Sequence, residues 1–143
     1  MKITIITVGS PQLSFAKEAL TEYMKRISRF AQVEPIHVKE DKKTTEKILK
    51  LCEKKYVIVL DEHGKSFSSQ SLADFLEQKN NHSIELYFVI GGPQGHESEI
   101  RNRADFSWSF SRLTFPHDMA MVILVETLYR SLSINAGHPY HRE

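Results

Sequence analysis

The segment FVIGGPQGHE, residues 88–97, is an apolar run that ends abruptly on a glycine-rich turn. An apolar run of this length is typical of a strand buried on both faces, as in a parallel sheet. Ligands of open α/β sheets bind at the carboxyl ends of the strands, so the turn is a candidate ligand-binding loop. The spacing of Gly91, Gly92 and Gly95 matches neither a dinucleotide fingerprint nor a P-loop, which disfavours a diphosphate ligand. A tight turn without a ligand explains the glycines equally well.

Other apolar runs extend the pattern of this strand to the rest of the chain. The predicted strands cover residues 3–8, 33–38, 56–60 and 84–90. Apolar residues at three- and four-residue spacing predict helices over residues 14–30, 44–55 and 71–79. Because strands and helices alternate, the sequence predicts an α/β fold with a largely parallel sheet.

The last third of the chain contains a different kind of helix. Residues 118–134, DMAMVILVETLYRSLSI, are apolar on nearly every face over residues 119–125, and Asp118 can cap the N-terminus. Such a helix must be buried, either in the centre of the core or in a subunit interface. Glu126 and Arg130 are four residues apart in the order that favours an ion pair within a helix.

Composition limits the classes of function that are open to the chain. With 143 residues and 41% hydrophobic content, we expect a single domain over residues 1–143 with a substantial core. The 19 Lys and Arg residues are balanced by 18 Asp and Glu residues, which leaves a net charge of +1. Bare nucleic acid is bound mainly by neutralising phosphates, so any polyanion must be bound by a local patch.

Cysteine usage and the N-terminus indicate the compartment. Cys52 is the single cysteine, which excludes an intramolecular disulfide and a cysteine-rich metal site, and we expect it to be a buried, inert thiol. The apolar run in MKITIITVG is too short for a signal peptide, and no later run is long enough to span a membrane. We therefore expect a soluble, cytoplasmic protein without membrane partners.

Three strand ends are expected to converge at one edge of the sheet. They are LDEHGK at residues 60–65, the turn at Gly91, and the segment SFSRLTF at residues 109–115. Backbone groups of such loops can bind the edge of an adenine while Leu and Phe side chains stack on it. Taken alone, residues 110–115 are explained better as a hydrophobic connection from a strand to a helix.

The C-terminal tail, GHPYHRE at residues 137–143, concentrates chemistry in a place where chains usually fray. Its aromatic and basic residues suit stacking on, and hydrogen bonding to, an unstacked RNA base. His138 and His141 have a spacing that metal ligands also use, but no acidic or cysteine partner lies nearby in sequence. We therefore predict no metal site.

Five segments together resemble the bacterial large-subunit ribosomal RNA methyltransferase H family, the pseudouridine N3-methyltransferases of the SPOUT superfamily. They are LDEHGKSFSSQSLADFL, FVIGGPQG, SFSRLTFPH, LVETLYRS and GHPYHRE, and the likeness extends over essentially the whole chain. The resemblance implies S-adenosylmethionine as cofactor and N3 of a pseudouridine in 23S ribosomal RNA, within the assembled ribosome, as target. It also implies a SPOUT-type parallel sheet with a C-terminal deep trefoil knot, and a homodimer packed through the knot helices.

The resemblance also assigns roles to individual residues. The implied cofactor contacts are Leu60, Gly91, Phe110, Ser111, Arg112, Leu113, Thr114 and Phe115. The implied catalytic region is the tail, with His138, Tyr140, His141 and Arg142. Met121 departs from the family pattern, in which an Arg stands at this position.

Within the tail, Tyr140 and Arg142 are candidates for base stacking and phosphate contact, followed by Arg130. The proton of N3 has several candidate acceptors, since histidine titrates near neutral pH. They are His138, His141, His117 and the substrate itself. For His117, a hydrogen bond at the entry of the helix beside Pro116 is the preferred interpretation.

Two other functions remain compatible with parts of the sequence. A non-catalytic α/β module that binds a nucleotide or an adenosyl ligand would use the same strand ends. A SPOUT methyltransferase acting on transfer RNA is a nearer alternative, which the complete match of the tail disfavours.

Overall fold

The computed structural model describes residues 1–92 and 96–142, and within them five strands alternate with five helices. The strands are β1 (Lys2–Val8), β2 (Gln32–Val38), β3 (Tyr56–Ser66), β4 (Leu86–Ile90) and β5 (Phe106–Ser109). The helices are α1 (Ser14–Ile27), α2 (Thr44–Leu51), α3 (Ser69–Asn81), α4 (Ser98–Arg103) and α5 (His117–Asn135). None of these helices is both long and apolar enough to cross a membrane.

The strands form one sheet in the order β2-β1-β4-β3-β5, and every neighbouring pair is parallel. The predicted α/β fold with a parallel sheet is therefore confirmed. The chain returns to place β4 between β1 and β3, where its side chains are covered on both faces. This central position explains why the apolar run before Gly91 does not alternate.

Helices cover both faces of the sheet. Ile3 and Ile5 of β1 point towards α1, α3 and α5, whereas Ile6 and Val8 point towards α2 and α4. This division follows from the two-residue period of a strand. Cys52 is buried on the α2 side, as predicted, and burial raises the pKa of its thiol to about 11, so the thiol stays protonated at neutral pH.

Helix α5 lies in the core between α1 and α3. Its buried apolar residues belong to the core formed with the sheet and these two helices: Met121, Leu124, Val125, Leu128, Tyr129 and Leu132. Met119, Val122 and Ile123 are only partly buried and leave an apolar strip at the surface. The position of α5 in the core thus explains most of its apolar residues. The remaining apolar strip is the part that a subunit interface would bury.

Two parts of the fold were missed by the sequence patterns. Strand β3 continues to Ser66, although the predicted strand ends at residue 60, because its pairing with β5 shifts and both Leu60 and Lys65 lie opposite Trp108. Gly64 makes the second half of the pairing possible, since a Cβ there would lie 2.5 Å from the carbonyl oxygen of Ser107. Helix α4 has six residues, of which only Ile100 is buried, so it has no apolar period to detect.

Candidate cofactor cleft and C-terminal tail

A cleft of about 400 Å³ opens at the carboxyl ends of β4 and β5 and at the middle of β3, beside the start of α5. It brings together most of the residues that were predicted to contact the cofactor: Leu60, Gly91, Phe110, Ser111, Leu113, Thr114 and Phe115. Arg112 is exposed and is absent from the lining formed by residues 1–92 and 96–142. Pro93, Gln94 and Gly95 of the predicted turn lie outside the described residues.

One part of the cleft wall is apolar, and the loop after β5 is held in a fixed turn. Trp108 is buried at the base, and the ring of Phe110 meets it edge-on with centroids 4.8 Å apart. The hydroxyl of Ser109 donates to the carbonyl of Ser111 at 2.8 Å, and the backbone N–H of Leu113 donates to the Ser111 hydroxyl at 3.0 Å. Leu113 is 69% exposed at the rim, a position from which it can cover a ligand. Charged and histidine side chains form the other part of the wall, and a cleft with both apolar and polar walls suits an adenosyl ligand.

His96 is a cleft residue to which the sequence pattern assigned no role. Its Nε2 lies 3.1 Å from the carbonyl oxygen of Leu60, and the ring is largely buried. Burial lowers the pKa of His96, and the hydrogen bond to Leu60 opposes that shift only in part. A neutral ring that donates to this carbonyl fixes the end of β3 at the cleft. Only its place directly after the glycine turn could have indicated this role.

Asp118 acts differently from the predicted helix cap. Helix α5 begins at His117 after Pro116, and Asp118 Oδ2 instead accepts from the backbone N–H groups of Gln12 and Leu13, at 2.9 and 2.7 Å. Burial alone would raise the pKa of Asp118, but these two donors and the neighbouring His117 lower it below its usual value. Asp118 therefore ties the loop after β1 to the start of α5.

His117 lines the cleft at the start of α5. Its Nδ1 lies 3.6 Å from Asp118 Oδ1, and its buried Nε2 has no hydrogen-bond partner in the described ranges. The distance of 3.6 Å to Asp118 allows an electrostatic contact but is too long for the hydrogen bond that was predicted at the helix entry. Nε2 is therefore the atom through which His117 can contact a ligand in the cleft.

The tail lies away from the cleft of its own chain and packs on α1 and α5. The hydroxyl of Tyr140 donates to Glu126 Oε1 at 3.0 Å and lies 3.0 Å from the hydroxyl of Tyr23. The guanidinium of Arg130 donates to His141 Nδ1 at 3.0 Å. Six to ten residues of α5 separate this region from Ala120 in the cleft lining, which corresponds to about 9 to 15 Å along a helix axis. Within a single chain, the predicted cofactor-binding residues are therefore far from the predicted catalytic residues.

The other two tail residues with predicted roles point towards solvent. His138 is exposed, and its ring meets the ring of Phe30 edge-on with centroids 6.2 Å apart. Its backbone N–H donates to the carbonyl of Ser133 at 2.9 Å, which anchors the start of the tail to the end of α5. Arg142 is exposed as well. Both side chains are therefore accessible to a partner molecule.

Metal binding has no support in this geometry. Among residues 1–92 and 96–142, no three His, Cys, Asp or Glu side chains are grouped closely enough to hold a metal ion.

Comparison with protein families decides the classification. A family model described as "Predicted SPOUT methyltransferase" matches residues 1–141. The chain belongs to the SPOUT methyltransferase family. The resemblance inferred from the five sequence segments is confirmed.

The similar proteins of established name match this SPOUT methyltransferase over its full length. It is 44% identical to the Ribosomal RNA large subunit methyltransferase H of Deinococcus radiodurans, with 99% of each chain covered. The protein of the same name from Methylobacillus flagellatus is 38% identical, with 100% of each chain covered. A Streptococcus pneumoniae protein of that name is 38% identical and covers 99% of this chain and 100% of its own.

Solved structures agree on the fold. A probable methylase family protein from Haemophilus influenzae matches with a TM-score of 0.61 and 12% identity, over 99% of this chain and 70% of its own. The SpoU methyltransferase AviRb from Streptomyces viridochromogenes, in complex with the cofactor AdoMet, matches with a TM-score of 0.50 and 11% identity, over 96% and 58%. At these identities, the likeness concerns the fold alone.

Met121, the departure from the family pattern, has a clear structural role in this SPOUT methyltransferase. It is 1% exposed and packs in the core with Val125. At this position the chain has apolar packing in place of a charge.

Proposed function

We propose that the protein methylates N3 of a pseudouridine in 23S ribosomal RNA with S-adenosylmethionine as cofactor. The observation that carries the proposal is the cleft beside the carboxyl ends of β4 and β5, which gathers all but one of the predicted cofactor residues. The full-length likeness to proteins named Ribosomal RNA large subunit methyltransferase H supports the choice of RNA.

The cleft fits the chemistry of the cofactor. Leu60, Phe110 and Phe115 supply apolar walls for the adenosyl group, and Gly91 allows the ligand to approach the backbone after β4. The structural neighbour AviRb was solved with AdoMet, which supports the same cofactor here. When bound, S-adenosylmethionine supplies a methyl group on a positively charged sulfur. The protein must bring the RNA base in line with that methyl group.

The target atom sets requirements on the RNA. N3 of pseudouridine lies on the Watson–Crick edge, so the base must be unpaired and turned out of its stack before it can react. An aromatic and basic tail is suited to holding such a base. Tyr140, His141 and Arg142 are the proposed contacts, with His138 at the start of the tail.

The active site needs two subunits. Within one chain, the tail contacts Tyr23, Glu126 and Arg130, and none of residues 137–142 is among the described residues that line the cleft. In a homodimer packed through the apolar strip of Met119, Val122 and Ile123, the tail of one subunit completes the cleft of the other. The deep trefoil knot implied by the family would position α5 for this contact.

The assembled ribosome is the proposed substrate, in the cytoplasm. A chain with a net charge of +1 cannot make the many phosphate contacts that bind bare RNA tightly. A preformed ribosomal cleft supplies shape and presents the base with little cost of ordering. Naked ribosomal RNA is therefore expected to be a poor substrate.

Transfer of a labelled methyl group tests the function directly. Ribosomes, separated subunits, naked ribosomal RNA and transfer RNA from cells without the gene are each incubated with the protein and methyl-labelled S-adenosylmethionine. We expect label in whole ribosomes, at N3 of one 23S pseudouridine by mass spectrometry. Equal labelling of naked RNA would contradict the ribosomal substrate, and labelling of transfer RNA would favour the alternative SPOUT activity. Cofactor binding without any methyl transfer would favour the other alternative, a non-catalytic module that binds an adenosyl ligand.

A further inference from the structure

The contacts of His141 define which of its ring nitrogens carries a proton. A guanidinium has only donors, and Arg130 Nη1 lies 3.0 Å from His141 Nδ1. Nδ1 must therefore accept through its lone pair. The proton of a neutral ring then lies on Nε2, which acts as a donor and not as a base.

Arg130 is itself held in place, so this choice is built into the fold. Its Nε and Nη2 donate to Glu126 Oε1 at 3.1 and 2.6 Å, one turn earlier on α5. Its guanidinium carbon lies 5.0 Å from the centre of the Tyr140 ring. The hydrogen bond that Arg130 donates to Glu126 raises the pKa of Arg130 further, so the group stays charged. A second proton on His141 would lie on Nδ1 and direct an N–H at the charged guanidinium of Arg130.

The hydroxyl of Tyr140 is not available as a base either. Its hydroxyl donates to Glu126 Oε1, so the hydroxyl of Tyr23 is the donor in the bond between the two tyrosines. Burial, with the Tyr23 hydrogen bond and the charge of Glu126, raises the pKa of Tyr140 well above its usual value. The phenol therefore remains protonated and serves to fix the tail.

We infer that the tail supplies a hydrogen-bond donor, His141 Nε2–H, to a carbonyl beside N3 of the target base, and that Glu126 and Arg130 are positioning residues for it. This inference rests on the proposed function. It assigns His141 to the stabilisation of charge and removes it from the candidate proton acceptors.

The reaction is consistent with a donor at this position. N3 is an imide nitrogen between two carbonyls, so loss of its proton to water spreads negative charge over both oxygens. N3 then gives its electron pair to the methyl carbon, and the carbon–sulfur bond breaks with its pair left on sulfur. A fixed N–H directed at one of the two oxygens stabilises the charge before and during transfer. Arg142, exposed next to His141, can add a second donor.

Nuclear magnetic resonance tests the tautomer without any substrate. Long-range ¹H–¹⁵N spectra of the histidine rings distinguish a protonated from a bare nitrogen, and the His141→Gln variant identifies the signal. At about pH 8, where histidine rings are neutral, we expect His141 with bare Nδ1 and protonated Nε2. His82 provides an internal reference of opposite type, because its Nδ1 lies 2.8 Å from the carbonyl of Gln78, which can only accept. A protonated Nδ1 on His141 would overturn the inference.

The positioning role has its own spectroscopic test. Arg130→Met removes the donor to Nδ1, so the His141 signals should move towards a mixture of the two tautomers. Arg26→Met is the matched control, since Arg26 lies over the Tyr23 and Tyr129 rings but does not contact His141 in the described structure. Unchanged His141 signals in the Arg130 variant would show that Arg130 does not set the tautomer.

Kinetics separates a donor from a base. Gln carries an N–H near the position of Nε2 but has no basicity, so His141→Gln should retain activity within about tenfold of the wild type, whereas His141→Ala should lose about 10²-fold or more. Equal losses in both variants would identify His141 as a base. The exposed His82→Gln variant serves as control. Wild-type protein that transfers no methyl group to ribosomes would disprove the proposed function instead, and the spectra would still report the tautomer.

Discussion

Gly91 lines the cleft directly after the last residue of β4, between residues of β3 and the segment that follows β5. Replacement by Val would fill part of the space into which the cofactor must fit. From the sequence of the turn alone, a ligand-binding loop and a tight turn without a ligand were equally compatible with the glycines. Only its combination with four other segments made the prediction specific.

We expect Gly91→Val to abolish detectable S-adenosylmethionine binding while the fold is retained. Isothermal calorimetry measures the binding, and circular dichroism checks the fold. Asn102→Ala is the control, because Asn102 is exposed on α4 and lies outside the described lining of the cleft. Unchanged affinity in the Gly91 variant would remove this turn from the cofactor site. Loss of wild-type binding on addition of a chelator would contradict the absence of a metal.

The buried ring of His96 makes stability depend on pH. Burial lowers its pKa in the folded protein, so the unfolded chain binds a proton more readily. The stabilisation is complete above the usual histidine value of about 6.5 and is lost progressively as the pH falls below it. We expect His96→Asn to reduce this dependence between about pH 7 and pH 5. Urea unfolding of both proteins across that range measures it, and parallel curves would contradict the assignment.

Strand β3 illustrates how an element can be invisible in its own sequence. Residues 61–66 include charged and polar side chains, so no apolar alternation marks the second half of the strand. What forms it is pairing with β5, which requires close approach at Gly64. Helix α4 was missed for a related reason, since it buries too few residues to create a period, whereas the short β5 was located only through the segment that follows it. Strands β1 and β4 were predictable because burial on both faces demands apolar residues throughout.

We expect Gly64→Ala to weaken the β3–β5 pairing. The added Cβ would lie 2.5 Å from the backbone oxygen of Ser107, which cannot rotate away. Overpacking of this kind costs about 1 to 3 kcal/mol of the free energy of unfolding. Urea unfolding measures the change, and Lys65→Ala, an exposed neighbour on the same strand, is the control. Equal free energies of unfolding for Gly64→Ala and Lys65→Ala would contradict the predicted clash between β3 and β5.

Helix α5 combines a core side with a surface strip, and the strip carries the prediction of a dimer. We expect Ile123→Glu to convert the protein to a monomer, because a charge in an apolar interface is costly to bury. Sedimentation at micromolar concentration distinguishes the two states. Lys50→Glu, exposed on α2 across the sheet, is the control. A wild-type monomer under these conditions would contradict the interface and the two-subunit site.

The whole molecule places its predicted chemistry at two separated positions, the cleft at the start of α5 and the tail near its end. The sequence could assign both sets of residues by family resemblance, but it could not reveal their separation. That distance depends on how Tyr140 and His141 dock onto Glu126 and Arg130 of the same chain. If the proposed function is correct, the cleft of one copy of the chain must therefore meet the tail of another copy.

Mixed dimers test this arrangement. One subunit carries Gly91→Val and an intact tail, and the other has an intact cleft but lacks residues 138–143. Each homodimer should be inactive in methyl transfer to ribosomes, the first for want of cofactor and the second for want of the tail. If the tail acts on the partner's cleft, each mixed dimer contains one complete site, and an equal mixture should regain about one quarter of wild-type activity after subunit exchange. If the tail acts within its own chain, no complete site forms and the mixture stays inactive.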